Sequence, residues 1–154
     1  MFSYTDLNGT GVELSFKKNA FPIQATHVLV IAKYKGLWVL TDHPIRGIEF
    51  PGGKAEVGED LAVAAAREMA EETGAIITNI EWLATYLVQD DQPFAKAVFV
   101  ANVASIQPEF KPRETNGLVL LTEEEFNNAE NLSFHMKDSG MKKMLERMSE
   151  RENC

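Results

Sequence analysis

Cysteine is nearly absent from this chain. The one present, Cys154, is the last of 154 residues. A lone cysteine cannot close an intrachain disulfide, which suits a reducing compartment and sets the expectation of a cytoplasmic protein. Long apolar runs are missing too: no stretch approaches the roughly 20 residues that span a bilayer. The N-terminus "MFSYTDLNGTGVELSF" has no basic flank leading into an apolar core, so neither a membrane partner nor a signal peptide is expected. Basic residues are scarce, with 15 Lys and Arg against 23 Asp and Glu and a formal charge of −8. That balance argues against tight binding to long nucleic acid, whose affinity comes from basic side chains displacing counterions. It leaves room for a small phosphorylated substrate carried with a metal cation. His27, His43 and His135 show no paired metal-ligand spacing, no Ser-His-Asp or Cys-His set stands out, and "GGKAEVG" lacks the Gly-Lys-Ser/Thr ending of a P-loop.

A hydrophobic fraction of 45% with 25% charged residues is ordinary for a globular protein. The length fits one domain over residues 1–154, and a globule of this size buries roughly 70% of the surface its unfolded chain exposes. Thr26 to His43 holds two β-branched and aromatic runs around Lys35-Gly36, the pattern of a hairpin. "NIEWLATYLVQ" and "FAKAVFVANVAS" flank the loop signal "DDQP" and predict a second strand pair. Gly117 to Thr122 reads as a short buried strand beside the loop "EFKPRETN". One helix is predicted from about Leu61 to Thr73, with Asp60 as N-cap and Gly74 as the left-handed residue at its end. Another covers about Asp138 to Arg151, with Met141, Met144, Leu145 and Met148 on its packed face.

The first helix raises a question. Like charges three and four residues apart cost roughly 0.2–0.5 kcal/mol per pair, yet Glu68, Glu71 and Glu72 crowd together. At about 100° per residue they occupy roughly a third of the circumference, with Ala62, Ala66, Met69 and Ala70 opposite and the small Ala64 and Ala65 beside them. The arrangement predicts one anionic face that leaves room for a ligand and one packed face. Magnesium, which takes oxygen ligands and shares its shell with water and substrate phosphate, fits such a face. The plainer alternative is a solvated acidic face held by Arg67 and Glu71.

The spacing around the helix goes further. Gly53, five residues, Glu59, seven residues, Arg67-Glu68, Met69, one residue, Glu71-Glu72, one residue and Gly74 resembles the signature of the Nudix hydrolases. Ala75 departs from it, where the family usually carries a larger aliphatic residue. The resemblance implies an α/β fold, an α/β/α sandwich with a mixed β-sheet in which the motif forms a catalytic loop-helix-loop. It also implies hydrolysis of a nucleoside diphosphate linked to another group, with Mg²⁺ as cofactor and Mn²⁺ as the alternative. By resemblance, Glu68, Glu71, Glu72 and the carbonyl of Gly53 are metal ligands, while Arg67 and Glu59 form a structural pair. Glu68 is the first candidate for the base. Glu114 is a candidate off the motif for both base and metal ligand; its alternative is an exposed loop residue paired with Arg113.

"VELSF", "RGIEFPGGK", "EETGA" and "LSFHMKDS", with the loop glutamate of "RETNG", resemble a narrower YtkD-type branch of bacilli. That likeness implies purine nucleoside triphosphates, 8-oxo-dGTP among them, cleaved to monophosphate and pyrophosphate. Phe134, Asp138 and Asn131 are candidates for the base-binding elements, an apolar wall with polar groups against it; core, helix cap and turn are their plainer roles. Arg46 and Lys54 are candidates for phosphate contact. The alternatives kept open are RNA 5′-triphosphate ends, ADP-ribose or a dinucleotide as substrate, and a nucleotide-binding regulatory module without turnover. Both monomer and homodimer fit the sequence.

Overall fold

The computed structural model describes residues 1–108, 110–112 and 114–152, with no account of the side chains of residues 151 and 152. Arg113 and Cys154, which figured in the sequence reading, lie outside the described residues. Among the described residues nine strands form one mixed sheet, its main path in the order β1 (Phe2–Thr5), β2 (Gly11–Ser15), β7 (Ala75–Gln89), β8 (Phe94–Ile106), β3 (Ala25–Tyr34), β4 (Leu37–His43) and β5 (Gly47–Glu49). The short β6 (Gly52–Lys54) pairs with β3, and β9 (Leu118–Leu121) with β4. Only the β3–β8 pairing is parallel among these ladders.

The predicted hairpin is present as β3 and β4. Lys35 and Gly36 both take positive φ, 51° and 80°, the conformation whose twist suits a two-residue hairpin turn. The second pair is β7 and β8, joined across the "DDQP" loop. β1, β2, β5 and β6 had no counterpart in the sequence reading, and β7 starts directly after the helix rather than near Asn79.

Helices cover both faces. α1 (Leu61–Thr73) lies on a cluster of Val28, Val30, Val39, Ala97 and Phe99. α3 (Ser139–Glu152) and the short α2 (Glu123–Asn128) close a second cluster over Leu14, Ile31, Leu40, Phe50 and Trp38. Met141, Met144 and Met148 sit in that cluster, as their spacing predicted. The result is the expected α/β/α sandwich. α2 was missed, although Thr122 and Glu125 form a reciprocal capping box of the kind a Thr-x-x-Glu spacing announces. No described helix is long and apolar enough to cross a membrane.

Candidate active site

The site is built where β6 delivers Gly52 and Gly53 against the inner side of α1. Asp60 starts that helix, its Oδ1 accepting from the backbone N–H of Ala62 at 2.9 Å and of Val63 at 3.4 Å. Gly74, at φ 77°, ends it and donates to the carbonyl of Ala70. Both caps stand where the sequence placed them.

The division of the helix into a packed face and an anionic face needs correcting. Ala64 and Ala65 do not leave open space for a ligand; they are fully buried against the sheet together with Met69. Glu68 shares this inward stripe and is only 9% exposed, while Glu72 is half-buried one turn on. The stripe can hold a carboxylate because Gly53 has no side chain: a Cβ there would lie 2.7 Å from Glu68 Oε1. Glu71 alone of the three points outward and is exposed.

Arg67 ties the surroundings together. Its Nε and Nη2 donate to the two oxygens of Glu59 at 2.8 and 2.9 Å, and Nη1 donates to Glu68 at 3.1 Å and Glu71 at 3.2 Å. Nη2 also reaches the carbonyl of Lys54 at 3.3 Å, joining the helix to β6. The Arg67 hydrogen bonds hold the Glu59 carboxyl down at about 2. At the other end of α1, Thr115 Oγ1 lies 3.4 Å from the Glu72 carbonyl and 2.8 Å from Thr41 Oγ1. Thr115 is thereby seated on the last turn of the motif helix.

Burial and mutual repulsion act on the inward carboxyls. Desolvation raises the Glu68 pKa, with Arg67 working against it. Glu72 rises to about 9, first from burial and then from the charges of Glu68 and Glu49. The Glu68 and Glu72 carboxyls are within hydrogen-bond reach of each other. A divalent cation would relieve this repulsion, and the donor set of hard oxygens suits magnesium. No described group of three or more His, Cys, Asp or Glu is gathered into a cage. Magnesium does not require one, because it is commonly bound through one or two carboxylates plus substrate phosphate.

On the α3 side, Gly52 and Gly53 also line a cavity of about 350 Å³. Arg46, Phe134 and Asp138 line it, as do Glu49, Lys96 and His135, which the sequence reading did not select as site residues. Arg46 does not reach free into this space. Its guanidinium grips Glu49, with Nη2 to Oε1 at 2.6 Å and Nε to Oε2 at 3.1 Å. Glu49 is 7% exposed; burial works to raise its pKa, but the Arg46 hydrogen bonds and charge and the Ser133 hydroxyl outweigh this and lower it. Arg46 and Glu49 stand three apart beside the glycine turn, a spacing that could have flagged the pair.

Phe134 stacks on His135, with ring centroids 3.8 Å apart and planes tilted by 37°. Burial takes the His135 pKa down to about 4, leaving it neutral at pH 7. Asp138 takes the anticipated cap role, Oδ1 accepting from Met141 N–H at 2.8 Å at the start of α3, and the residue also lines the cavity. Burial raises its pKa to about 6.

Three candidates lie elsewhere. Asn131 is exposed and outside the cavity lining; its carbonyl accepts from the N–H of Ile48 in β5 at 2.9 Å. Lys54 is exposed at the end of β6 and also outside the lining. Glu114 is exposed in the loop anchored by Thr115.

The Nudix domain model matches residues 21–148. The Bacillus subtilis (strain 168) protein YtkD, named as a candidate 8-oxo-dGTP diphosphatase, is 36% identical over 153 residues, covering 97% of both chains. The crystal structure of the Bacillus subtilis pyrophosphohydrolase BsRppH superposes with a TM-score of 0.90 at 34% identity, covering 98% of each chain. The Nudix domain of Shewanella oneidensis NrtR, crystallised with ADP-ribose, shares the fold with a TM-score of 0.64 at 19% identity, over 88% of this chain and 93% of that one. With the glycine turn, the carboxylate helix and these likenesses in agreement, the chain belongs to the Nudix family and is a hydrolase of phosphoanhydride bonds.

Proposed function

We propose that the protein is a magnesium-dependent pyrophosphohydrolase of guanine nucleoside triphosphates, 8-oxo-dGTP included, releasing nucleoside monophosphate and pyrophosphate. The observation that carries this reading is one cavity that holds Phe134 and Asp138 and is also lined by the Gly52–Gly53 turn facing Glu68. Guanine and 8-oxoguanine both present N1–H and N2–H₂ donors. Asp138 spends one oxygen on the α3 cap, and the other can accept from that edge while Phe134 supplies a flat apolar wall. Adenine has no N1–H, so the same carboxylate would face an acceptor.

Glu68 and Glu72 are the residues we assign to hold the metal, together with the Gly53 carbonyl, and Glu71 joins them on release from Arg67. When bound, the ion supplies charge neutralisation at the phosphoryl oxygens and lowers the pKa of water. Arg67 and Glu59 keep the carboxylates oriented. Glu68, buried beside the glycine turn, is the base we assign for the attacking water, with Glu114 as the candidate from the neighbouring loop. Water adds to one phosphorus, the phosphoanhydride P–O bond breaks, and the pyrophosphate oxygen takes the electron pair.

A second reading moves the same chemistry to 5′-triphosphorylated RNA. His27 and Phe94, a second ring pair with centroids 4.4 Å apart, line the same cavity, and a following base could stack there. Steady-state hydrolysis of GTP, ATP, 8-oxo-dGTP, ADP-ribose and triphosphorylated RNA, with product identification, separates the readings. Guanine nucleotides leading, with monophosphate and pyrophosphate as products, support the proposal. RNA leading by more than tenfold moves the substrate to the second reading, and orthophosphate as the first product refutes the cleavage site.

A further inference from the structure

Lys96 occupies a position where a charge is costly. It lies on β8, a strand paired on both sides, in register with His27 of β3 and Tyr86 of β7. Its neighbour Ala97 is buried in the cluster under α1 and Val98 in the one under α3, so by the alternation of a strand Lys96 faces the cavity on the α3 side, which it lines. Its ammonium sits 5.7 Å from the centre of the Tyr86 ring. Among the described residues it makes neither a hydrogen bond nor an ion pair, whereas Arg46 is paired with Glu49 through Nε and Nη2.

The charges around Lys96 do not cancel it locally. Glu49 and Glu72 attract it from a distance, Arg46 repels it, and burial works against its charged form. His27 and His135 also feel its charge. A half-buried ammonium with three unused donors is unfavourable unless an anion satisfies it. A polyphosphate entering between the glycine turn and β8 would bring non-bridging oxygens that do so.

We propose that Lys96 is a substrate-contacting residue that donates to a non-bridging oxygen of the substrate's polyphosphate from the sheet side of the cavity. This rests on the phosphoanhydride site assigned above and adds a residue to it. Phosphate is the group assigned to it because the Lys96 ammonium lines the same cavity as the Gly52–Gly53 turn that faces Glu68.

The test uses GTP hydrolysis and its inhibition by inorganic tripolyphosphate, which carries no base or ribose, in wild type, Lys96→Met, Lys96→Gln, Lys96→Arg and Glu72→Gln. A lost charge-assisted hydrogen bond corresponds to a change of about 10- to 100-fold. Lys96→Met should lower kcat/KM for GTP by that factor and raise the tripolyphosphate inhibition constant in parallel, with Lys96→Arg recovering part of both. Its melting temperature should match or exceed that of wild type, since a half-buried charge without an anionic partner has been removed; Lys96→Gln provides the same reading if the methionine variant fails to fold. An unchanged tripolyphosphate constant beside a weakened GTP reaction would overturn the proposal in favour of base recognition. A change below threefold in both, or activity lost in step with melting temperature, would overturn it as well. Full activity of Glu72→Gln would refute the carboxylate site itself, a failure distinct from that of Lys96.

Discussion

Gly52 and Gly53 are adjacent and equally small, but the structure predicts different consequences for replacing them with alanine. At Gly53 the new Cβ would meet Glu68 Oε1 at 2.7 Å and Oε2 at 2.9 Å, against about 3.4 Å for an ordinary contact. The obstacle is the end of a flexible side chain, so Glu68 retreats by about 0.7 Å and gives up its 3.1 Å contact with Arg67 while the backbone stays in place. At Gly52 the Cβ would overlap the carbonyl oxygen of Val28 and lie 3.1 Å from Leu29 Cα, both on β3, which cannot yield without opening the β3–β6 ladder. Gly53→Ala should therefore keep its melting temperature within about 2 °C and lose on the order of 10- to 100-fold in kcat, since roughly 1 Å of misplacement costs about 100-fold. Gly52→Ala should lose about 1–3 kcal/mol, a fall of roughly 3–10 °C in melting temperature for a chain of this size. Scanning calorimetry beside steady-state kinetics reads both. A fully active Gly53→Ala, or one destabilised more than Gly52→Ala, would refute the claim that Gly53 is glycine to make room for Glu68.

Two further predictions concern the charges. Arg67→Lys keeps the cation but loses the fork that holds both oxygens of Glu59; kcat should fall at least tenfold while circular dichroism stays unchanged, and wild-type kinetics would rule out an orienting role. Without metal, the Glu72 carboxyl titrates near 9 in the folded chain and near its ordinary value when unfolded. The folded state then binds more protons between about pH 4.5 and 9, and stability falls as pH rises through that window. In chelator, Glu72→Gln should flatten the pH dependence of the melting temperature and be the more stable protein at pH 8; a steeper dependence in the variant would contradict the assigned burial.

What could be read from the sequence divides along physical lines. Caps and turns are local, so Asp60, Gly74 and the Lys35-Gly36 turn could be placed from neighbouring residues alone. The motif fixed the carboxylates, but a helical wheel sorts residues by polarity and so put Glu68 opposite the core. The structure turns it inward, because the missing side chain at Gly53, supplied by a different strand, creates the space. Lys96 and Glu49 were hidden for a related reason: each sits in a mainly apolar strand, and only the sheet order brings both to one cavity with Arg46. Asn131, whose plainer role in the sequence is a turn, accepts from Ile48 of β5 beside the Leu132–Ile48 bridge, a contact between segments far apart in the chain that local composition does not signal.

In the function proposed above, the inward carboxylates of α1 work through a divalent ion on a guanine nucleoside triphosphate. The most direct measurement is kcat/KM for GTP as a function of free magnesium, in wild type and Glu72→Gln, after removal of metal by chelation. Turnover without magnesium should be negligible and recovery in wild type saturable, with Glu72→Gln losing at least 100-fold or needing much higher magnesium. Identical magnesium curves for the two proteins, or wild-type turnover in the presence of chelator, would contradict it.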